Sequence, residues 1–147
     1  MMTMSNRIRA NGTVLAAVMT VVVLLGVGAW AQQPSQSDEV KRLLATRSCT
    51  GCFLAGAALT AADLERAVLN GANLFEATLY FANLEKANLT NATLVGANLR
   101  KARLKDATLT GADLSGADLT WATDADFSGA ITTATTTCPG GTAGPCL

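Results

Sequence analysis

The sequence predicts an all-β solenoid, a chain wound as a coil around an apolar axis. Leucine recurs at every fifth residue from Leu54 to Leu119, fourteen times without a gap, and alanine lies two residues before it from Ala57 to Ala117. On an α-helix this period would spread the leucines around every side, and on a straight strand it would place them alternately on opposite faces. All fourteen leucines therefore face one axis only if the chain turns a corner every five residues.

The other positions of the repeat fit this coil. Each alanine lies two residues before a leucine, so along an extended stretch both side chains point inward. The residue between them is mostly polar and is expected to point outward, and the two residues after each leucine form a solvent-facing turn. These polar intervening residues are Asp63, Asn73, Asn83, Asn88, Asn98, Asp113 and Asp118.

The repeat A-(D/N)-L-x-x, found as ANLFE, ANLEK, ANLRK, ADLSG and ADLTW, resembles the pentapeptide-repeat family over residues 52–123. This resemblance implies a right-handed quadrilateral parallel β-helix with four repeats per coil, and thus three and a half coils. The residues alone leave the number of sides open. A 20-residue coil would bring Lys86 near Asp106 and Glu85 near Lys105, whereas Thr78, Thr93 and Thr108 recur at 15 residues, as a triangular coil would also explain.

The N-terminus has the pattern of a signal peptide over residues 1–31. Arg7 and Arg9 precede an uncharged apolar stretch, residues 14–30, and Ala29-Trp30-Ala31 offers a small-x-small cleavage site. The alternative is an uncleaved membrane anchor, because about 17 apolar residues lie at the lower limit for crossing a bilayer.

Three further segments are expected. Residues 32–51 would form a linker and a short N-terminal capping helix, with Ser37 as N-cap and the stripe Val40, Leu43 and Leu44 facing the coil. Residues 52–131 would form the β-helix, and residues 132–147 a threonine-rich tail with a Cys–Cys loop. At the C-terminal end the next leucine position is Asp124, and Phe127 restarts the pattern out of phase, so we expect Phe127 to plug the last coil.

Four cysteines, Cys49, Cys52, Cys138 and Cys146, favour disulfides in an exported chain. The two ends of the rod would lie about 17 Å apart, beyond the ~7 Å Cα separation that a disulfide spans. This favours the pairs Cys49–Cys52 and Cys138–Cys146. The tail is long enough to fold back, so pairing of Cys49 with either distal cysteine stays open. The C-x-x-C is also typical of redox and zinc sites, but no thioredoxin-like pattern surrounds it.

One stretch of the coil combines aromatic and basic residues. With a period of 20, Phe81 and Trp121 would flank Lys101, and Tyr80 would extend the aromatic face. This group is either a docking surface for a partner or only a solvated cation–π ladder. Its residues are Tyr80, Phe81, Arg100, Lys101, Arg103, Lys105 and Trp121.

Nothing in the composition indicates catalysis, a cofactor or a metal site. The chain has no histidine, and its net charge is zero. Removing residues 1–31 takes away Arg7 and Arg9 and no acid, which leaves 9 basic and 11 acidic residues and a net charge of −2, so nucleic acid is not an expected partner. The run from Asp124 to Gly129 imitates the start of a calcium loop, but its twelfth position is Thr135 rather than glutamate.

The sequence therefore predicts a non-enzymatic, exported structural or interaction scaffold, monomeric, with an unknown protein partner and no cofactor. A membrane would be involved only through an uncleaved N-terminal segment. The resemblance implies a periplasm or a thylakoid lumen, where signal-bearing members are abundant. Two alternatives are a DNA-mimicking, gyrase-binding member, although those members are cytoplasmic, longer, acidic and dimeric, and a thiol redox protein that uses its C-x-x-C.

Overall fold

The computed structural model describes residues 35–146, which form one helix followed by a parallel solenoid. Helix α1 spans Gln36–Thr46. After it, residue i forms a parallel β-bridge with residue i+20, from Ser48–Val68 to Arg103–Thr123. Twenty residues are four repeats, so each coil has four sides. The β-pairing consists of single-residue bridges rather than extended strands, and the 15-residue threonine spacing is not the register, since Thr78 pairs with Asn98.

Each corner is closed by a short turn. The carbonyl of Leu84 accepts a hydrogen bond from the amide of Ala87 at 3.0 Å, while the amide of Leu84 donates to Arg103 in the next coil at 2.8 Å. The second residue after each leucine has a positive φ, as at Lys86 with 58°. A positive φ at this place is a feature of type II turns, which usually carry glycine there. The coil therefore turns at each repeat while its backbone stays paired to the neighbouring coils.

The leucine column is the core of the molecule. All fourteen repeat leucines are at most 2% exposed, and the alanines before them fill the space beside the corners. A leucine side chain removed from water contributes about 2 kcal/mol to folding. The predicted inward-facing column is thus confirmed.

Helix α1 closes the N-terminal end of this core. It begins two residues earlier than the sequence predicted, because Ser35, not Ser37, is the N-cap, and its Oγ accepts a hydrogen bond from the amide of Asp38 at 3.4 Å. Leu43 is fully buried in the core, whereas Leu44, expected on the same stripe, is 49% exposed. Val40 also packs against the core, partly buried, so the helix docks through Val40 and Leu43 while Leu44 lies to one side of the contact.

The solenoid begins before the first leucine. The amide of Cys49 donates to the carbonyl of Val68, as the amide of Leu69 does to Asn88 one coil later. Cys49 therefore occupies a leucine position and Cys52 the alanine position that follows it. Cys49 lies five residues before Leu54, and this spacing is the sequence signal for its leucine position. Cys49 therefore extends the inward column by one residue.

The coil shortens at its C-terminal end. Asp113 pairs with Ile131 and Asp118 with Thr137, which are 18 and 19 residues apart instead of 20. Asp124, at the next leucine position, is exposed, which keeps its carboxylate out of the core, and Phe127 packs half-buried against the core instead.

The last turn of the coil uses different side chains. Thr136 is buried and continues the inward column. Its hydroxyl donates a hydrogen bond to the carbonyl of Leu114 at 2.9 Å, so no polar group of this side chain is buried without a partner. Thr137 then pairs antiparallel with Ala143, which forms a hairpin over the end of the coil.

The predicted signal peptide or anchor and most of the linker lie outside the described residues. Within residues 35–146, no helix combines the length and the apolar character needed to cross a membrane.

Candidate interaction surface

The coil brings the central aromatic and basic residues together at one corner. The Lys101 ammonium lies 4.9 Å from the ring centroid of Phe81, 5.2 Å from that of Trp121 and 5.9 Å from that of Tyr80. The guanidinium carbon of Arg100 lies 5.4 Å from the Trp121 ring. We call Tyr80, Phe81, Arg100, Lys101 and Trp121 the aromatic–basic corner. Arg103 and Lys105, which the sequence grouped with them, lie beyond it: Arg103 pairs with Asn83 along the adjoining side, and Lys105 lies at the next corner, where its carbonyl accepts a hydrogen bond from the amide of Lys86 at 2.8 Å.

The backbone places three of these residues in one line. Phe81, Lys101 and Trp121 occupy the same turn position in successive coils, with φ values of 59°, 57° and 60°. Left-handed backbone costs a residue with a Cβ roughly 1–2 kcal/mol, and other corners of this rod use glycine there, as at Gly56 and Gly96. The turn itself does not require large side chains at this corner.

These rings remain largely in solvent. Phe81 is 51% exposed and Trp121 is 57% exposed. An exposed cation–π contact contributes about 0.5–1 kcal/mol, so the contacts with Lys101 favour this arrangement of the rings without burying them. The corner therefore presents exposed apolar surface in a preferred arrangement.

The charges at the aromatic–basic corner and on the neighbouring Arg103 and Lys105 are only partly neutralised. Arg103 forms an ion pair with Glu85 at 2.5 Å, and Arg100 lies 3.8 Å from Asp118. The expected pair Glu85–Lys105 is wrong, because the longer guanidinium side chain of Arg103 reaches Glu85. Among residues 35–146, Lys101 and Lys105 have no carboxylate within ion-pair distance, and the expected pair Lys86–Asp106 does not form.

The Cys49–Cys52 pair lies beneath helix α1. Their Cα atoms are 5.3 Å apart and the sulfurs are bonded, and the residues are 1% and 2% exposed. Arg42 from α1 covers them, with its Nη2 atom 2.6 Å from the Cys52 sulfur. Sequence reasoning missed this contact, because it depends on how the helix docks. Another thiol can reach these sulfurs only if α1 moves.

The Cys138–Cys146 pair has a different environment. Their Cα atoms are 5.5 Å apart and the sulfurs are bonded. Both residues line a cavity of about 450 Å³ at the C-terminal end of the coil, together with Phe127, Pro139 and Pro145. This disulfide closes the terminal hairpin.

In the segment that imitates a calcium loop, the Asp126 carboxylate accepts hydrogen bonds from its own turn. Bonds from the side chain and backbone of Ser128 lower the pKa of the Asp126 carboxyl; the backbone amide lies 2.9 Å from Oδ1. The part of the chain that the structure describes contains no group of three His, Cys, Asp or Glu side chains arranged to hold a metal ion.

Comparison with protein families identifies the repeat. The family model for pentapeptide repeats matches residues 52–91 and 87–131, with 8 copies, and thus more than half of the chain. The chain belongs to the pentapeptide-repeat family. No curated protein matches it.

Solved structures of pentapeptide-repeat proteins are similar to this member. One from Nostoc PCC 7120 is 35% identical with a TM-score of 0.51, over 58% of this chain and 76% of that one. One from the thylakoid lumen of Arabidopsis thaliana is 29% identical with a TM-score of 0.49, over 64% of this chain and 60% of the Arabidopsis chain. HetL of Nostoc PCC 7120, which is involved in the regulation of heterocyst differentiation, is 29% identical with a TM-score of 0.36, over 65% of this chain and 55% of that one.

Proposed function

We propose that this pentapeptide-repeat protein is a non-enzymatic, exported interaction scaffold that docks a protein partner through the aromatic–basic corner. The observation that carries the proposal is the exposure of Phe81 and Trp121 on either side of the Lys101 ammonium. Aromatic and arginine side chains are enriched where protein interfaces gain most of their binding energy. Rings that already favour one arrangement also lose less side-chain entropy when a partner covers them.

Elsewhere on the rod, Phe53 and Phe75 are also exposed, at 58% and 42%, but within residues 35–146 no cation lies over either ring. Many of the rod's outward carboxamides and carboxylates accept hydrogen bonds from their own turns, as Asn73 does from the amide of Phe75 at 3.0 Å. Such groups have already used part of their hydrogen-bonding capacity. Within the described residues the ammonium groups of Lys101 and Lys105 form no ion pair, and they favour a partner that carries carboxylates.

The proposal includes export of the protein from the cytoplasm. The signal pattern of residues 1–31 and the two cysteine pairs support an oxidising compartment, a periplasm or a thylakoid lumen. We further propose the domain division 1–31, 32–51, 52–131 and 132–147, and the right-handed coil that is typical of the family.

Affinity capture from the native compartment tests the docking surface. The triple variant Arg100→Ala, Lys101→Ala and Trp121→Ala is expected to lose the partner that the wild-type protein retains, with unchanged circular dichroism. A matched control, Arg66→Ala with Phe75→Ala, removes one exposed cation and one exposed ring from other sides of the rod and should keep the partner. Retention of the partner by the triple variant would contradict the proposal.

A further inference from the structure

The two disulfides of this protein differ in how a second thiol can reach them. Cys49 and Cys52 are buried beneath α1 and the Arg42 side chain. Cys138 is half-buried and Cys146 is 9% exposed, and both line an open cavity of about 450 Å³. Thiol–disulfide exchange requires in-line approach of a thiolate to a sulfur, so its rate depends strongly on access. The C-terminal pair is therefore the reactive one.

The loop that this disulfide closes has few other attachments. Within the described residues, three hydrogen bonds join residues 139–146 to the chain before Cys138. They run from the amide of Gly144 to the carbonyl of Thr136 at 3.0 Å, from the amide of Cys146 to the hydroxyl of Thr132 at 3.2 Å, and from the amide of Trp121 to the carbonyl of Pro139 at 2.9 Å. A segment with so few hydrogen bonds to the rest of the chain opens locally at low cost once its covalent link is cut.

The third of these bonds joins the loop to the aromatic–basic corner. Pro139 takes the place above Trp121 that Thr120 takes above Lys101, whose amide donates to Thr120 at 3.0 Å. The loop thus fixes the backbone of the terminal ring of the corner. Release of Pro139 leaves Trp121 on an unpaired edge of the coil.

We propose that Cys138–Cys146 is a thiol–disulfide exchange site for a dithiol reductant, and that its reduction frees the backbone of Trp121 and so loosens the aromatic–basic corner. This couples the proposed docking surface to the redox state of the compartment. The inference rests on the proposed function only for its consequence, because the exchange and the opening are measurable without a partner.

The dithiol supplies the two electrons that reduce the Cys138–Cys146 disulfide. One thiolate of the reductant attacks a sulfur of the Cys138–Cys146 bond, which breaks as a mixed disulfide forms, and the displaced thiolate takes a proton from solvent. The second thiol of the reductant, after losing its proton, then attacks the mixed disulfide. The reductant leaves as a disulfide, two electrons pass to the protein, and Cys138 and Cys146 become thiols.

The rate of exchange is tested on the oxidised wild-type protein with dithiothreitol under native conditions. Samples are alkylated at intervals, and peptide mapping follows each disulfide separately. We expect Cys138–Cys146 to be reduced about tenfold or more faster than Cys49–Cys52, because only the first pair lines an open cavity through which a thiolate can reach it. Equal rates, or faster reduction of Cys49–Cys52, would overturn the assignment.

The opening is tested by amide hydrogen exchange in the selectively reduced protein. The Trp121 amide should exchange about tenfold or more faster than in the oxidised protein, while the Lys101 amide, one coil away, keeps its protection. A Cys49→Ser, Cys52→Ser variant should show the same response of Trp121 to dithiothreitol. Unchanged protection of Trp121 after reduction of Cys138–Cys146 would refute the coupling, whereas failure to capture a partner would affect only the docking proposal.

Discussion

Replacement of Leu84 by aspartate should prevent folding of the rod. Leu84 is fully buried, on the same side of the coil as Leu64 below it and Leu104 above it. The substitution loses the burial of a leucine, about 2–3 kcal/mol, and leaves an unpaired carboxylate on the axis, which costs several kcal/mol more. The sum exceeds about 5 kcal/mol, and the whole stability of a domain is about 5–15 kcal/mol.

The assay compares three purified proteins by far-UV circular dichroism and urea unfolding. Leu84→Asp should be unfolded or insoluble, and Leu84→Ala should stay folded with a free energy of unfolding lowered by about 2–5 kcal/mol. Leu44→Asp makes the same chemical change at a leucine that is 49% exposed, and should lower it by less than about 0.5 kcal/mol. A soluble Leu84→Asp protein with the spectrum and unfolding midpoint of the wild type would show that this column does not form the core.

Three further predictions concern the C-terminal half. The double variant Cys138→Ser, Cys146→Ser should lower the free energy of unfolding by about 2.5 kcal/mol, the loop-closure entropy of a nine-residue ring; an unchanged urea midpoint would speak against this. Trp121→Gly should change stability by no more than about 1 kcal/mol, because relief of the left-handed backbone offsets the lost cation–π contacts, yet it should abolish partner capture; a large drop in melting temperature would instead indicate a purely structural role. Asp126 should titrate below its ordinary value near 3.8 in an NMR experiment, and Asp126→Ala should remove the part of the stability that is present above that pH and lost as the pH falls through the folded pKa; a pKa at or above the ordinary value would disprove the role of Ser128.

The sequence predicts the core of this fold well and its cross-section poorly. The five-residue period alone specifies that Leu54 to Leu119 share one axis, because no regular helix or strand buries such a pattern. The number of sides depends on the angle at each corner, which is set by a backbone conformation that glycine, Lys86 and Trp121 all adopt. The number of sides is therefore known only from the structure, in which bridges join residues that are 20 apart.

Some contacts of the candidate surface could be predicted from the sequence and others could not. The place of Lys101 between Phe81 and Trp121 follows from equal spacing in a four-sided coil. The pair Arg103–Glu85 does not, because the two residues are 18 apart and meet through the reach of their side chains. The contact between Trp121 and Pro139 could not be predicted from the repeat either. The coil loses residues after Asp124, and its register changes there.

The register of twenty residues converts residue number into direction. Insertion of one five-residue repeat between Phe81 and Trp121 would preserve every inward leucine, and so the fold, but would turn everything after the insertion by one side of the rod. Trp121 would then face away from Phe81, and only an insertion of four repeats would bring them back to the same corner, one coil further apart. Evolution of such a chain can therefore redistribute its surface among four directions by duplication alone, without altering a single core contact type.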